Sequence, residues 1–179
     1  SWHSLWSMLL TNIGASGLKV NMVDQKNTDP DAALFAAIEL FFFAFSAFTA
    51  GPDAVLAERG LARLHHRILY FVARRPGQRV SDLLATLGIS KQALNAPLRQ
   101  LLDAGLVVMT ADALDRRARC LSLSEEGAAL EARLSRTQRE FLGHAFAAEG
   151  QRAEAGWRSV MMHLASSEFG QVPSRGSGS

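Results

Sequence analysis

The stretch SDLLATLGISKQALNAPLRQLLDAGLV, residues Ser81 to Val107, decides the fold. Ser81 can cap a short helix, and Gly88 can end it in the left-handed conformation that glycine adopts without steric cost. Only Ile89 separates that end from Ser90, a second capping residue. Two helices joined by so short a turn, with a glycine at the corner, describe a helix-turn-helix. At about 100° per residue, Leu94, Leu98 and Leu101 fall close together, with Leu102 beside them, and make a buried stripe. Gln92, Asn95, Ala96, Arg99 and Asp103 face the other way. Amides offer bidentate donor and acceptor pairs to adenine, arginine does so to guanine, and Ala96 permits close approach, so this face suits a DNA major groove. A solvated face has the same composition, and the helices alone leave both readings open. Pro97 lies on the flank between the two faces. Its missing N–H removes the bond to the Ala93 carbonyl, which predicts a bent but continuous helix whose first turns, Lys91 to Asn95, are re-aimed.

The residues that follow favour DNA. LVVMTA, Leu106 to Ala111, has strand composition, DALDRRAR is a polar turn, and CLSL, Cys120 to Leu123, is a second short strand. The hairpin tip carries Arg116, Arg117 and Arg119, which can enter a narrow minor groove or grip phosphates, with Asp112 and Asp115 orienting them. Placed directly after a recognition helix, such a hairpin forms a wing. Ser124 then caps a long helix through LEARLSRTQREFLGHAF, with Glu125 and Glu126 in its positive first turn and Leu130, Leu134, Phe141 and Leu142 as a discontinuous apolar stripe. A last helix, roughly Ala153 to Ser166, adds Trp157, Val160, Met161 and Leu164.

Upstream, LARLHHRILYFVARRPG has apolar residues at Leu61, Leu64, Ile68, Leu69 and Val72, the spacing of an amphipathic helix closed by Pro76 and Gly77. It is preceded by AALFAAIELFFFAFSAFTA, residues 32 to 50, which Pro30 can open and which GPDAV, Gly51 to Val55, is expected to break. Nineteen residues nearly span a bilayer, but Glu39 near the centre and the acidic flanks argue against a membrane partner. A helix apolar nearly all round must still be buried. It is either a central core helix or one shared between two subunits, with six of the ten phenylalanines packing across a dimer.

Composition sets the outer bounds. A chain of 179 residues, 48% hydrophobic and 20% charged, has the size of one globular domain or of two small lobes sharing a core. Residues 59 to 120 hold 11 of the 19 Lys/Arg and only 4 of the 17 Asp/Glu, so the basic charge is concentrated in the middle third and favours a polyanionic partner there. The single cysteine, Cys120, excludes an internal disulfide and points to a reducing, cytoplasmic setting, where a half-buried structural thiol is expected. Residues 1 to 21 lack the basic start and uninterrupted apolar run of a secretory signal, and are expected to be a non-native or disordered extension, Met22 offering a natural start. No Gly-rich phosphate loop, nucleophile elbow or zinc-protease helix is present, so neither an enzyme nor a cofactor is expected. Glu39, His65, His66, His144 and His163 lack a local metal-ligand motif, and surface or N-capping histidines are the ordinary explanation.

On LLATLGIS, LLDAGLV, DALDRRAR and the LSLSEEG that opens the next helix, residues 59 to 135 resemble the winged helix-turn-helix of the multiple antibiotic resistance regulator (MarR) family. The resemblance implies a mainly α fold with a small β-hairpin wing, a winged helix-turn-helix joined to an α-helical dimerisation region. It implies a homodimeric transcription regulator, usually a repressor, on a pseudo-palindromic double-stranded operator. It also implies a pocket where small, often aromatic, effectors loosen DNA binding. Carried over, Ser90, Lys91, Gln92, Asn95 and Arg99 take the recognition-helix positions, and Arg116, Arg117 and Arg119 the wing. Glu39, Phe43, His65 and His66 are pocket candidates, because the first two helices meet there in the family; adjacent histidines point about 100° apart, so at most one faces a pocket. Three positions depart from the family pattern: Leu114 replaces a basic residue of many members, Cys120 lies in the wing rather than the first helix, and Pro97 replaces an ordinary helix residue. The expected organisation is an extension over 1–21, a dimerisation helix over 22–58, the DNA-binding lobe over 59–123, dimerisation helices over 124–168 and a disordered tail or linker over 169–179. The alternative is a dimeric small-molecule carrier or protein-interaction module that keeps the fold without reading DNA.

Overall fold

Serine caps set two of the helix starts, as their spacing predicts. Ser90 Oγ accepts the Ala93 N–H at 3.2 Å, and Ser124 Oγ accepts the Gly127 N–H at 3.0 Å. The computed structural model describes residues 30–112 and 118–166. Its elements in chain order are α1 (Pro30–Ala57), α2 (Arg63–Arg74), β1 (Gln78–Arg79), α3 (Val80–Leu87), α4 (Lys91–Asp103), β2 (Val107–Ala111), β3 (Arg119–Leu123), α5 (Glu125–Glu149) and α6 (Gln151–Ser166).

Two local expectations are corrected. GPDAV does not break α1, which runs on to Ala57. Pro52 removes a single donor, and its burial together with Val55 and Leu56 offsets that loss. Gly51 permits close approach there, since an added Cβ would lie 3.3 Å from Thr137 Cβ on α5, closer than ordinary contact. One turn earlier the Thr49 hydroxyl donates to the Phe45 and Ser46 carbonyls. Nor does Ser81 cap α3: Asp82, charged and in the positive first turn, reaches back to the Arg79 N–H at 3.3 Å and starts the helix one residue before the serine.

The sheet is antiparallel in the order β1-β3-β2. Val107 to Ala111 pair with Leu123 to Arg119, making the expected hairpin. Gln78 and Arg79 add a third strand against Leu121 and Cys120 that the sequence pattern did not reveal. The helix-turn-helix closes at Gly88, whose φ of 63° ends α3 in the left-handed region. Arg67 of α2 donates to the Leu87 carbonyl at 3.0 Å and ties that corner to the lobe. At the open end of the hairpin, the first turn of α5 presses on Leu106, whose carbonyl accepts the Ser124 N–H at 3.1 Å; a Cβ at Gly127 would overlap that carbonyl.

Two compact units divide the chain between Phe43 and Ala44. In the first, the described residues are the N-terminal turns of α1, and Phe35, Phe41, Phe42 and Phe43 are all exposed. The second holds the core, built by Leu56, Ile68, Leu69, Val72, Leu83, Leu94, Leu101, Leu106, Leu121 and Leu134. Leu94, Leu98 and Leu101 are buried, as the stripe on α4 requires. α6 buries none of its residues, and Trp157, Val160, Met162 and Leu164 on it are exposed. α1 is long and apolar enough, by length and composition, to cross a membrane.

Candidate nucleic-acid interface

With its leucines turned inward, α4 presents Lys91, Gln92, Asn95, Ala96 and Arg99 to solvent on one face. The helix is continuous through Pro97, from the Ser90 cap to Asp103. Ser90, also exposed, stands at its N-terminus beside Lys91, where a helix dipole already favours an anion such as a DNA phosphate. Further along, Asn95, Ala96, Arg99, Gln100 and Asp103 line an open concavity of about 450 Å³. Gln100 and Asp103 extend the face beyond the predicted contacts. The i+4 relation of Gln100 to Ala96 and the i+3 relation to Asp103 carry that signal in the sequence.

Behind this helix, the base of the wing is fixed by polar contacts. The Asp112 N–H donates to the Ala118 carbonyl at 3.1 Å, extending the ladder beyond β2. Its carboxylate accepts from Arg79 Nε at 2.9 Å, which ties the wing to β1. The Cys120 thiol, half-buried, also lies 3.5 Å from that carboxylate. Burial pushes the thiol pKa up, and the hydrogen bond to Asp112 adds to it, so Cys120 stays protonated and poorly nucleophilic. Arg119 is exposed at the start of β3, whereas Arg116 and Arg117 lie outside the described residues.

A helix-turn-helix whose second helix faces solvent, backed by a stapled hairpin, matches known proteins. Residues 59–118 fit the MarR family model. Over 131 residues the chain is 44% identical to the HTH-type transcriptional regulator PetP of Rhodobacter capsulatus, a span of 73% of this chain and 79% of PetP. The chain belongs to the MarR family. It is a transcriptional regulator of that type, not an enzyme. Solved MarR-family structures share the fold. One from Silicibacter pomeroyi superposes with a TM-score of 0.60 at 19% identity, covering 72% of this chain and 87% of its own. NadR in complex with 4-hydroxyphenylacetate superposes with a TM-score of 0.59 at 22% identity, covering 81% and 98%.

In this MarR-family chain the four pocket candidates are distributed over both compact units. Glu39 and Phe43 are exposed on the first turns of α1, in the first unit. His65 and His66 are buried at the start of α2, in the second. His65, the third residue of α2, bonds back to the helix start: its Nδ1 accepts the Ala62 N–H at 2.9 Å, while Nε2 meets Gln100 Oε1 at 2.9 Å. His66 Nε2 is buried with no hydrogen-bond partner among the described residues. Burial lowers the His66 pKa, against the opposing pull of the Glu131 and Asp53 charges. Among the described residues no group of three or more His, Cys, Asp or Glu side chains gathers to hold a metal ion.

Proposed function

We propose that this MarR-family regulator is a cytoplasmic homodimer that represses transcription by holding a pseudo-palindromic operator, and that a small aromatic effector releases it. The observation that carries the reading is the two-sided α4. Its leucines are buried, while Lys91, Gln92, Asn95 and Arg99 stand together in solvent, with Ser90 at the helix start and the Arg119 strand behind. Two such helices, one per subunit, would enter successive major grooves about 34 Å apart, and the arginines of residues 116, 117 and 119 would hold the flanking minor grooves. The exposed phenylalanines of α1 and the exposed apolar residues of α6 support pairing of two subunits. For the effector, the support is the aromatic carboxylate bound by NadR and the buried, polar start of α2. An effector acts by its different affinity for DNA-competent and DNA-incompetent dimers.

Fluorescence anisotropy of the full chain against fragments upstream of its own operon tests the reading. Binding should favour one sequence over random duplex and weaken linearly in log affinity with log salt. Asn95→Ala or Arg99→Ala should relax preference at one position per half-site by about 1–3 kcal/mol, whereas Arg117→Ala should weaken all sequences alike. No preference over random duplex would instead favour a carrier or interaction module on the same fold.

A further inference from the structure

Ala62, His65, Gln100 and Gly60 are joined by three hydrogen bonds into a circuit that the backbone from Gly60 to Ala62 closes, linking the α1–α2 corner to α4. The Ala62 N–H donates to His65 Nδ1 at 2.9 Å, His65 Nε2 meets Gln100 Oε1 at 2.9 Å, and Gln100 Nε2 donates to the Gly60 carbonyl at 3.1 Å. One assignment of protons satisfies all three. The Gly60 carbonyl can only accept, so the amide NH₂ must face it and the amide oxygen must face the imidazole. His65 Nε2 then carries the proton, and Nδ1 is left bare to accept the Ala62 N–H. The Ala62 N–H and, through the side-chain amide, the Gly60 carbonyl require the same ring tautomer.

The circuit spans two functional regions of the fold. Gly60 and Ala62 belong to the turn that ends α1, where the Gly60 N–H bonds to the Ala57 carbonyl at 3.1 Å. That turn is fixed on its other sides by Arg59–Glu126 at 2.7 Å and Arg63–Asp53 at 2.6 Å. Gln100 belongs to α4 and lines the open concavity with Asn95, Ala96, Arg99 and Asp103. Elsewhere α4 is held by Leu94, Leu98 and Leu101, and apolar contact is non-directional: it fixes which face is buried but resists a small roll of the helix weakly. A hydrogen bond to a buried imidazole is directional.

We infer that His65 is a positioning residue for DNA reading. Through Gln100 it fixes the rotation of α4 about its own axis relative to the end of α1, and with it the direction in which Asn95 and Arg99 face. The inference rests on the DNA-binding function proposed above. A bond of this kind, once lost, corresponds to about two- to twelve-fold in an equilibrium constant.

His65→Gln, Gln100→Leu and the double variant of the full chain test it. Glutamine at the third helical position can still accept the Ala62 N–H, so α2 keeps its start while the link to Gln100 is lost. The readouts are the urea midpoint, the affinity for the operator, and the affinity ratio between the operator and fragments altered at the bases read by Asn95 and Arg99. Each single variant should lose about two- to ten-fold in operator affinity and lower that ratio, and His65→Gln, away from the DNA-facing side of α4, should leave binding to random duplex unchanged. The double variant should be no worse than the weaker single, because one circuit is being cut twice. Multiplicative losses, or an unchanged ratio with affinity that follows the urea midpoint, would overturn the role of His65. If His65→Gln does not fold, His65→Asn gives the same readouts: its shorter side chain can still accept the Ala62 N–H, as Asp82 does for Arg79, but does not reach Gln100. Wild-type protein that reads no sequence fails before any variant is made, and that result removes the DNA-binding function and the inference together.

Discussion

At the scale of single residues, neighbouring histidines have opposite situations. His65 has both ring nitrogens engaged, whereas His66 buries Nε2 without a partner among the described residues. Burial lowers the His66 pKa, so the native ring stays neutral at a pH where the unfolded chain, with an ordinary value near about 6.5, has taken up a proton. The unfolded state then binds more protons, and stability must rise with pH across that window. Stability is full above the unfolded value and falls as pH drops from there towards the lower native one. Urea unfolding at about pH 7.5 and 5.5 should therefore give a lower free energy at the acid value. His66→Leu should flatten that slope, and an unchanged slope would mean that other groups carry it. Some of this was legible in HisHis: two rings about 100° apart cannot share one environment, and a capping histidine is an ordinary finding. Which ring caps depends on how the chain turns at Gly60, whose φ of 65° is a tertiary outcome. The structural role expected for the Cys120 thiol is consistent with its raised pKa and its contact with Asp112.

At the scale of elements, Pro52 and Pro97 both lie inside helices, and the sequence predicts a break at only the first. Ser90 and the leucine stripe define a helix on either side of Pro97, and α4 is continuous. GPDAV predicts a break at Pro52, and α1 nevertheless continues. What decides is burial against other elements: Pro52 itself is buried, and Gly51 faces Thr137 of α5. Strand β1 escaped for a related reason, since two residues carry no periodicity and become a strand only by pairing with Leu121 and Cys120. Pro97 stays partly buried, and Pro97→Ala should return one donor to the Ala93 carbonyl. An interior proline costs about 3 kcal/mol in an isolated helix, so a gain of about 1–3 kcal/mol in urea unfolding free energy is expected. A gain under about 0.5 kcal/mol would mean that the Ala93 carbonyl already has another partner.

At the scale of the whole molecule, the apolar surface is the dominant feature. Leu34, Phe35, Ile38, Leu40, Phe41, Phe42, Phe43 and Phe45 are all exposed along α1, and Trp157, Val160, Met162 and Leu164 along α6. A periodic pattern reports which side of a helix a chain buries, and α1, apolar nearly all round, has no such side to report. Its composition demanded a cover, but it could not say whether that cover is this chain, a second copy or a bilayer. A second copy predicts a sedimenting mass of twice the 19.4 kDa chain, maintained on dilution to about micromolar concentration without detergent. Phe42→Glu with Phe45→Glu would place two charges in that seam, where burying an unpaired carboxylate is far costlier than losing a phenyl contact. Such a variant should sediment as a monomer while α2 to β3 keep their far-UV signature. It should also lose operator affinity steeply, since one lobe engages only a half-site and about half of the phosphate contacts. Flotation of the wild-type chain with lipid vesicles, or monomeric wild-type protein that binds a full operator as tightly as a dimer would, is the result that would sink the paired arrangement.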